Sequence, residues 1–224
     1  MKTLFITGGH GGIGQAIVQE FQARNYKIIS PSSRELDLSQ VESIKSYFSA
    51  SVPDIDVLVH SAGINFPKPL EEINGEEFEK TLAVNATSLF YLAQIFLPRL
   101  KAKNGGHILA VNSIWGIISK PGRLSYAMSK QALNGLVKTL ALELAPHNIK
   151  VNSVAPGFVD TKLTRQNNTE EQIKSIVKQV PLGRLAKPEE IARAVYYLCS
   201  DDNNYITGQN LVIDGGFTAG IFGN

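Results

Sequence analysis

The chain of 224 residues is long enough for one domain with a substantial core, and we predict a single domain over residues 1–224. Its net charge is only +2, and its lysines and arginines are scattered without a basic run, which argues against nucleic-acid binding. No apolar run approaches the ~18 residues of a membrane span, no secretory signal is recognisable, and the single cysteine, Cys199, fits a reducing compartment, so we expect a cytoplasmic protein without membrane contact.

Short apolar runs alternate with amphipathic helical patterns along the chain. The predicted strands span residues 3–7, 27–30, 57–60, 106–112, 150–155 and 209–213. The predicted helices span residues 12–24, 39–49, 75–86 continuing to 101, 125–145 and 188–198. Alternation of this kind predicts an α/β fold in which helices cover both faces of a parallel sheet.

A glycine-rich turn follows the first strand, where residues 7–14 read TGGHGGIG. Glycines allow close approach of a ligand to the backbone, and the helix predicted to begin at residue 12 presents its free N–H groups and positive dipole end. A strand, a glycine turn and a helix N-terminus together form a site for a phosphate or pyrophosphate.

The segment after the second strand is unusually short. Nine residues, 30–38, connect that strand to the next helix, which is too few for a covering helix and a full parallel strand. We therefore expect the next strand to be lost or reduced to a piece near residues 35–38. No acid precedes Glu35 here, and Ser32 and Arg34 suit the 2′-phosphate of NADP(H), although a solvated loop is an equal alternative. Asp37 suits a cap of the next helix.

Tyr126 and Lys130 lie four residues apart in a helical pattern and therefore share a helix face. A nearby cation lowers the pKa of a phenol, so the two form an acid/base device, whereas taken alone they would be a packing pair. Ser113 directly follows a buried strand, at the edge of the sheet where ligands bind in open α/β folds. Its alternative role is that of a turn or cap residue.

These motifs, taken in order, resemble those of the short-chain dehydrogenase/reductase family. They are the spacing of Gly8, Gly12 and Gly14, the triplet Ser61-Ala62-Gly63, Asn85, Ser113, Tyr126 with Lys130, Pro156-Gly157, and the segment 206–216. The resemblance spans the chain and is similar to the classical branch that includes 3-oxoacyl-carrier-protein reductases. It implies a Rossmann-type doubly wound parallel sheet, here of about six strands with the shortened edge described above.

The resemblance also implies a function and a set of residues. The chain would transfer a hydride between a nicotinamide cofactor and a carbonyl or secondary alcohol, with NADP(H) favoured and NAD(H) possible. Ser113 would hold the carbonyl oxygen, Tyr126 would transfer the proton, Lys130 would bind the nicotinamide ribose, and Asn85 would hold a water that links Lys130 to solvent. The expected cofactor contacts are Gly8, His10, Gly12, Ile13, Ser32, Arg34, Asp37, Leu38, Ser61, Ala62, Gly63, Asn85, Tyr126, Lys130, Pro156, Gly157, Val159 and Thr161; no metal site is indicated. Among them, Asp37 and Leu38 resemble the family's pair that contacts the adenine ring, which is the alternative to the cap role of Asp37.

Several expectations concern the surroundings of this site. Trp115, Ile117, Phe158 and Leu163 are candidates for the substrate wall, with core packing as the alternative. Residues 163–180 are expected to form a mobile helical lid, and Ser61, in place of the usual Asn, is expected to weaken a tie between strands.

The long apolar helices 75–101 and 125–145 and the apolar tail 217–222 favour a homodimer or homotetramer. The alternative function is a non-catalytic NAD(P)-binding sensor or regulatory subunit, and an epimerase or dehydratase is a weaker third option.

Overall fold

Six parallel strands form one sheet in the computed structural model, which describes residues 1–220. The strands are β1 (Thr3–Thr7), β2 (Lys27–Ile29), β3 (Val57–His60), β4 (Gly106–Val111), β5 (Ile149–Pro156) and β6 (Asn210–Ile213). Their order across the sheet is β2-β1-β3-β4-β5-β6, and each neighbouring pair is parallel. The doubly wound α/β fold expected from the sequence is confirmed.

Eight α-helices connect the strands within the described residues. They are α1 (Gly12–Gln22), α2 (Val41–Tyr47), α3 (Gly75–Leu82), α4 (Ser88–Ala102), α5 (Leu124–Leu144), α6 (Lys162–Gln166), α7 (Glu170–Gln179) and α8 (Pro188–Leu198). Predicted and observed bounds agree within a few residues, and the last helix has the bounds that were predicted.

Strand β1 shows how the sheet separates two hydrophobic cores. All five of its residues are buried, as expected for a central parallel strand. Because side chains alternate along a strand, Phe5 packs with Phe96 of α4 on one face, whereas Leu4 and Ile6 pack with Ile17 of α1 on the other. Helices α2, α4 and α5 therefore cover one face, and α1 and α8 cover the opposite one.

The shortened edge is confirmed, and the next strand is lost rather than reduced. Residues 30–38 contain no strand, so β2, with three residues, forms the edge of the sheet. Leu36 and Leu38 instead turn inward and join the core cluster that contains Phe5 and Phe48. Their burial closes this edge without the missing layer.

The predicted helix 75–101 is interrupted. A π-helical turn, Ala83–Thr87, separates α3 from α4, so one turn of the helix carries an extra residue. The combined stretch Gly75–Ala102 is long and apolar enough to cross a membrane by length and composition alone. Leu89, Leu92 and Phe96 are nevertheless fully buried against the sheet, as in a core helix of a folded domain.

The segment predicted as a lid is helical but tied down in part. It comprises α6 and α7, and α7 begins with a capping box between Thr169 and Gln172. Ile173 and Ile176 on α7 are buried, whereas Leu163 on α6 is half exposed. The mobility of this segment stays a prediction. Of the apolar tail 217–222, residues 221 and 222 lie outside the described residues.

Candidate active site

A cavity of about 240 Å³ opens at the carboxyl ends of the strands. The chain leaves β1 toward the α1 face and β3 toward the α4 face, so the cavity lies at the point where the winding of the sheet reverses. That is where open α/β folds bind ligands. Its walls bring together many of the predicted residues, namely Gly8, Gly12, Ile13, Ser61, Gly63, Ser113, Tyr126, Lys130, Pro156, Gly157, Val159, Thr161 and Leu163.

The glycine turn forms one end of the cavity and requires its glycines. Gly8 has a φ of +69°, and a Cβ on it would lie 2.6 Å from the backbone nitrogen of Ala62. A Cβ on Gly14 would lie 2.0 Å from the carbonyl oxygen of Gly8. Helix α1 starts here with no side-chain cap, so its first N–H groups are available to an anion. The turn therefore fits the pyrophosphate of a dinucleotide.

Tyr126, Lys130 and Ser113 meet at the other end. The Nζ of Lys130 lies 5.6 Å from the Tyr126 ring centroid and donates a 2.7 Å hydrogen bond to the carbonyl of Val111. Burial lowers the pKa of Lys130 to about 8. Burial raises the pKa of Tyr126, while a hydrogen bond from Ser113 to its phenolic oxygen and the nearby charge of Arg123 act against that rise. Ser113 also accepts a 3.2 Å bond from the backbone N–H of Trp115.

Asn85 lies on the π-helical turn, fully buried, and uses its whole amide group. Its Oδ1 accepts from the Ile64 backbone at 2.8 Å, and its Nδ2 donates to the Ile64 carbonyl and to Ser129 on α5 at 2.9 and 3.0 Å. The side chain thus connects the loop after β3 with the helix that carries Tyr126 and Lys130. The predicted water at this position remains a prediction.

His60 at the end of β3 uses both of its ring nitrogens, whereas the weakened tie expected at Ser61 stays a prediction. Its Nε2 donates to the carbonyl of Val84 at 3.1 Å, and since a carbonyl only accepts, Nδ1 is the unprotonated nitrogen that accepts from Thr7 at 2.9 Å. Burial lowers the pKa of His60 to about 3, so the ring is neutral. It joins β1 and the π-helical turn directly behind the cavity.

Two asparagines support the turn that follows Ser113. Asn112 donates to Asn134 of α5 at 2.8 Å, and Asn134 donates to the carbonyl of Gly116 at 2.7 Å. A Cβ on Gly116 would lie 2.7 Å from the Asn112 Oδ1. This arrangement fixes the 3₁₀ turn Ile114–Gly116 against the helix of Tyr126.

The residues predicted for the adenosine end lie apart from the cavity. Glu35 accepts from the backbone N–H and the hydroxyl of Ser32 at 2.8 and 2.7 Å, and these two hydrogen bonds lower the pKa of Glu35, with nearby His10 acting weakly in the same direction. Arg34 is exposed. Asp37 accepts from the backbone and hydroxyl of Ser39 at 2.9 and 2.7 Å, two residues ahead of α2, so it organises the approach to that helix without capping it.

Leu38 and Ala62 face the core more than the ligand side. Leu38 is buried in the cluster that includes Phe5, which leaves little of its side chain for an adenine ring, and Ala62 packs against the same cluster. Ser30, in contrast, has a buried hydroxyl without a hydrogen-bond partner, 2.2 Å from where a Cβ of Gly9 would lie.

The expected substrate wall is only partly assembled. Trp115 and Phe158 meet edge to face with centroids 6.2 Å apart, and Phe217 packs edge-on to Phe158 at 5.2 Å. Leu163 lines the cavity, and Ile117 is exposed.

Several residues that shape the site were not predicted from the sequence, because no motif or regular spacing distinguishes them. They include Ser30, His60, Asn65, Asn112, Arg123, Ser129 and Asn134. For His60 a signal existed, since a histidine in an otherwise apolar buried strand needs partners for both ring nitrogens.

Comparison with known proteins gives a consistent result. The sequence matches the family described as enoyl-(acyl carrier protein) reductase over residues 32–218. It is 33% identical over 247 residues to a tropinone reductase homolog of Arabidopsis thaliana, covering 99% of this chain and 94% of that protein. It is 34% identical over 236 residues to the 3-oxoacyl-(acyl-carrier-protein) reductase of Escherichia coli (strain K12), covering 96% of each.

Among solved structures, 4-hydroxyisoleucine dehydrogenase complexed with NADH matches with a TM-score of 0.92 and 30% identity, covering 98% of this chain and 100% of that one. A short chain dehydrogenase family protein from Francisella tularensis matches with a TM-score of 0.91 and 32% identity, covering 98% and 100%. The shared fold, the glycine turn and the relatives agree, and this chain belongs to the classical branch of the short-chain dehydrogenase/reductase family.

Proposed function

We propose that this protein is a nicotinamide-dependent oxidoreductase that interconverts a carbonyl and a secondary alcohol with Tyr126 as the acid/base. The observation that carries this proposal is that Ser113, Tyr126 and Lys130 share one cavity with the glycine turn. The sensor or regulatory-subunit alternative is not favoured, because all three of these side chains are intact and adjacent. An epimerase or dehydratase would need further acid/base groups beside Tyr126.

The residues present fit a dinucleotide. At Gly8 and Gly14 a Cβ would clash with the backbone of Ala62 and of Gly8, so only glycine allows this tight turn, and the uncapped N-terminus of α1 offers its N–H groups to a pyrophosphate. We assign Ser61, Gly63, Pro156, Gly157, Val159 and Thr161 to the nicotinamide half, since they line the cavity around Lys130. When bound, the nicotinamide supplies the hydride chemistry, and the protein supplies placement and charge.

The protein's own groups would handle the proton. Tyr126 donates it to the carbonyl oxygen in reduction and removes it in oxidation, while Ser113 donates a hydrogen bond that holds the same oxygen. Protonated Lys130 favours the phenolate form of Tyr126 by its charge. Asn85 fixes the helix that carries both groups, and we assign the solvent-linking water to this residue.

We propose NADP(H) as the favoured cofactor because Ser32 and Arg34 follow β2 without an intervening acid. Binding a 2′-phosphate there requires that Glu35 release the two donors of Ser32. NAD(H) is the second candidate, and the solved relative with bound NADH supports it. Asp37 stays our candidate for the adenine contact.

The substrate is a small carbonyl or alcohol compound. Turnover of a panel of ketones, acyl thioesters and sugars, measured by NADPH absorbance, would identify the class of compound.

We further propose a homodimer or homotetramer, since α4 and α5 expose Phe90, Met128 and Leu142. Cys199 is buried and unpaired, which suits the reducing cytoplasm that we propose as its compartment.

Tyr126→Phe tests the proposal, because it removes the phenolic proton and keeps the ring. We expect turnover to fall by about 10²–10⁴-fold, the usual contribution of general acid/base catalysis, with cofactor affinity nearly unchanged. Tyr205→Phe is the matched control, since Tyr205 is exposed and does not line the cavity. Wild-type turnover in Tyr126→Phe would refute the assignment.

A further inference from the structure

Two cations occupy the loop between Ser113 and Tyr126. The Nζ of Lys120 lies 5.4 Å from the centroid of the Trp115 ring. Arg123 is half-buried and directly precedes α5, and its charge acts on the Tyr126 phenol. Both cations therefore lie on the side of the site that carries the proton-transfer residues, away from the glycine turn.

Neither cation forms an ion pair with a carboxylate of the described residues. Burial lowers the pKa of both, Arg123 further lowers the pKa of Lys120, and no carboxylate among residues 1–220 opposes either shift, although the Tyr126 phenol acts to raise the pKa of Arg123. Several other cations of the described chain do have a carboxylate partner. Arg165 binds Asp160 at 2.7 Å and Arg184 binds Glu190 at 2.7 Å, and Lys68, on the loop facing Gly122, binds Glu77 at 2.7 Å.

The half-buried charge of Arg123 costs free energy unless an anion joins it, and the exposed Lys120 adds a like charge nearby. The guanidinium of Arg123 offers a planar fork of donors suited to a carboxylate. Helix α5 adds partial positive charge, because its N-terminus has no side-chain cap. The missing partner is thus an anion beside Tyr126, which is where a substrate is expected.

We propose that the substrate carries a carboxylate that Arg123 binds and Lys120 supports, so that the substrate class is oxo acids and their hydroxy-acid counterparts. This inference rests on the oxidoreductase function proposed above. Arg123 is then a specificity-determining residue, and neutral ketones of the same size are poor substrates.

The test compares acids with their methyl esters. Linear 2-oxo, 3-oxo, 4-oxo and 5-oxo acids are each paired with the ester, and kcat/KM is measured for reduction by NADPH and NADH. We expect one acid to exceed its ester by about 10- to 100-fold, the size of one charge-assisted hydrogen bond. Arg123→Gln should remove that advantage by slowing the acid alone, Lys120→Gln should reduce it in part, and the exposed Arg193→Gln on α8 should change neither.

A second readout separates this inference from the proposed function. Calorimetry with butyrate and its isostere butyramide on the cofactor-free protein should show binding of the acid only, lost in Arg123→Gln. Equal kcat/KM for acids and esters, an equal loss for both in Arg123→Gln, or equal binding of butyrate and butyramide would overturn the carboxylate site. Absence of turnover with every compound, despite butyrate binding through Arg123, would count against the oxidoreductase function and leave the anion site standing.

Discussion

Lys130 combines a buried ammonium group with a position beside the Tyr126 ring. Only 3% of the residue is exposed, its sole hydrogen bond among the described residues goes to a carbonyl, and its pKa is lowered from 10.5 to about 8. Between these two pH values the unfolded chain holds a proton that the folded one has lost. The free energy of unfolding therefore rises with pH across this window, and the cost of burying the charge is present below pH 8.

Lys130→Met isolates this contribution, because methionine has a similar length and no charge. We expect the free energy of unfolding of the wild type, relative to Lys130→Met, to rise by about 3 kcal/mol between pH 8 and pH 10.5. Urea denaturation at several pH values measures it. A difference that does not change with pH would mean that the amine is solvated in the folded protein.

His60 offers a second pH-dependent prediction, of acid sensitivity. Its pKa is about 3 when folded and 6.5 ordinarily, so its contribution to stability is complete above pH 6.5 and is lost as the pH falls toward 3. His60→Leu should cost about 1–3 kcal/mol at pH 7, because Thr7 and the Val84 carbonyl lose their partner. That gap should narrow by about 2 kcal/mol at pH 5.

Denaturation of both proteins at pH 7 and pH 5 provides the measurement, with His147→Asn as the control. If the difference in the free energy of unfolding between wild type and His60→Leu is the same at both pH values, His60 is not a neutral, buried group.

For individual residues, the sequence predicts which side chains of one helix or strand lie close together. It does not predict contacts between side chains on different helices and strands. Tyr126 and Lys130 follow from helix periodicity, and the structure brings Ser113 to them. The bonds of His60 to Thr7 and Val84 depend on how β1, β3 and the π-helical turn pack, which no local pattern reveals. The same is true of Asn112 and Asn134.

The segment of residues 30–38 shows what loop length can and cannot predict. Its nine residues exclude a crossover, and the structure indeed lacks the strand. The length alone did not reveal that Glu35 would turn back onto Ser32, because that bond depends on the local conformation of the turn. Consequently Ser32 can bind a phosphate only after its two donors leave Glu35, a condition that the sequence did not reveal.

Charge changes in this segment should alter cofactor preference. Glu35→Gln keeps an acceptor for Ser32 and removes the charge that would oppose a 2′-phosphate, so we expect the affinity for NADPH relative to NADH to rise about tenfold. Arg34→Gln should lower NADPH affinity by a similar factor and spare NADH. Fluorescence titration with both cofactors measures the ratio.

Glu42→Gln on the exposed side of α2 is the matched control and should change neither affinity. If Arg34→Gln leaves the preference untouched, the phosphate lies elsewhere.

For the whole molecule, the fold follows from the alternation of strands and helices along the chain. The expected assembly follows instead from the apolar side chains that the folded chain leaves exposed. Leu142 on α5 is 79% exposed, with Phe90 on α4 and Met128 on α5 also exposed. We expect light scattering to give a dimer or tetramer at micromolar concentration, and Leu142→Glu to shift it toward smaller species, because a charge would be buried in the interface.

Leu70→Glu is the matched control, since Leu70 is 71% exposed outside these helices. A wild-type protein that is monomeric at micromolar concentration would contradict the prediction.

The π-helical turn at Ala83–Thr87 makes the spacing of the chain as important as its composition. A helix advances by about 100° per residue, so one residue removed from this turn would rotate everything before it relative to everything after it. Either Asn85 would lose Ile64 and Ser129, or Leu89, Leu92 and Phe96 would leave the sheet. A substitution in this turn can weaken one contact and leave the others in place. A deletion must instead disrupt either the hydrogen bonds of Asn85 or the packing of α4 on the sheet. Chain length at this point is therefore itself a constraint on both.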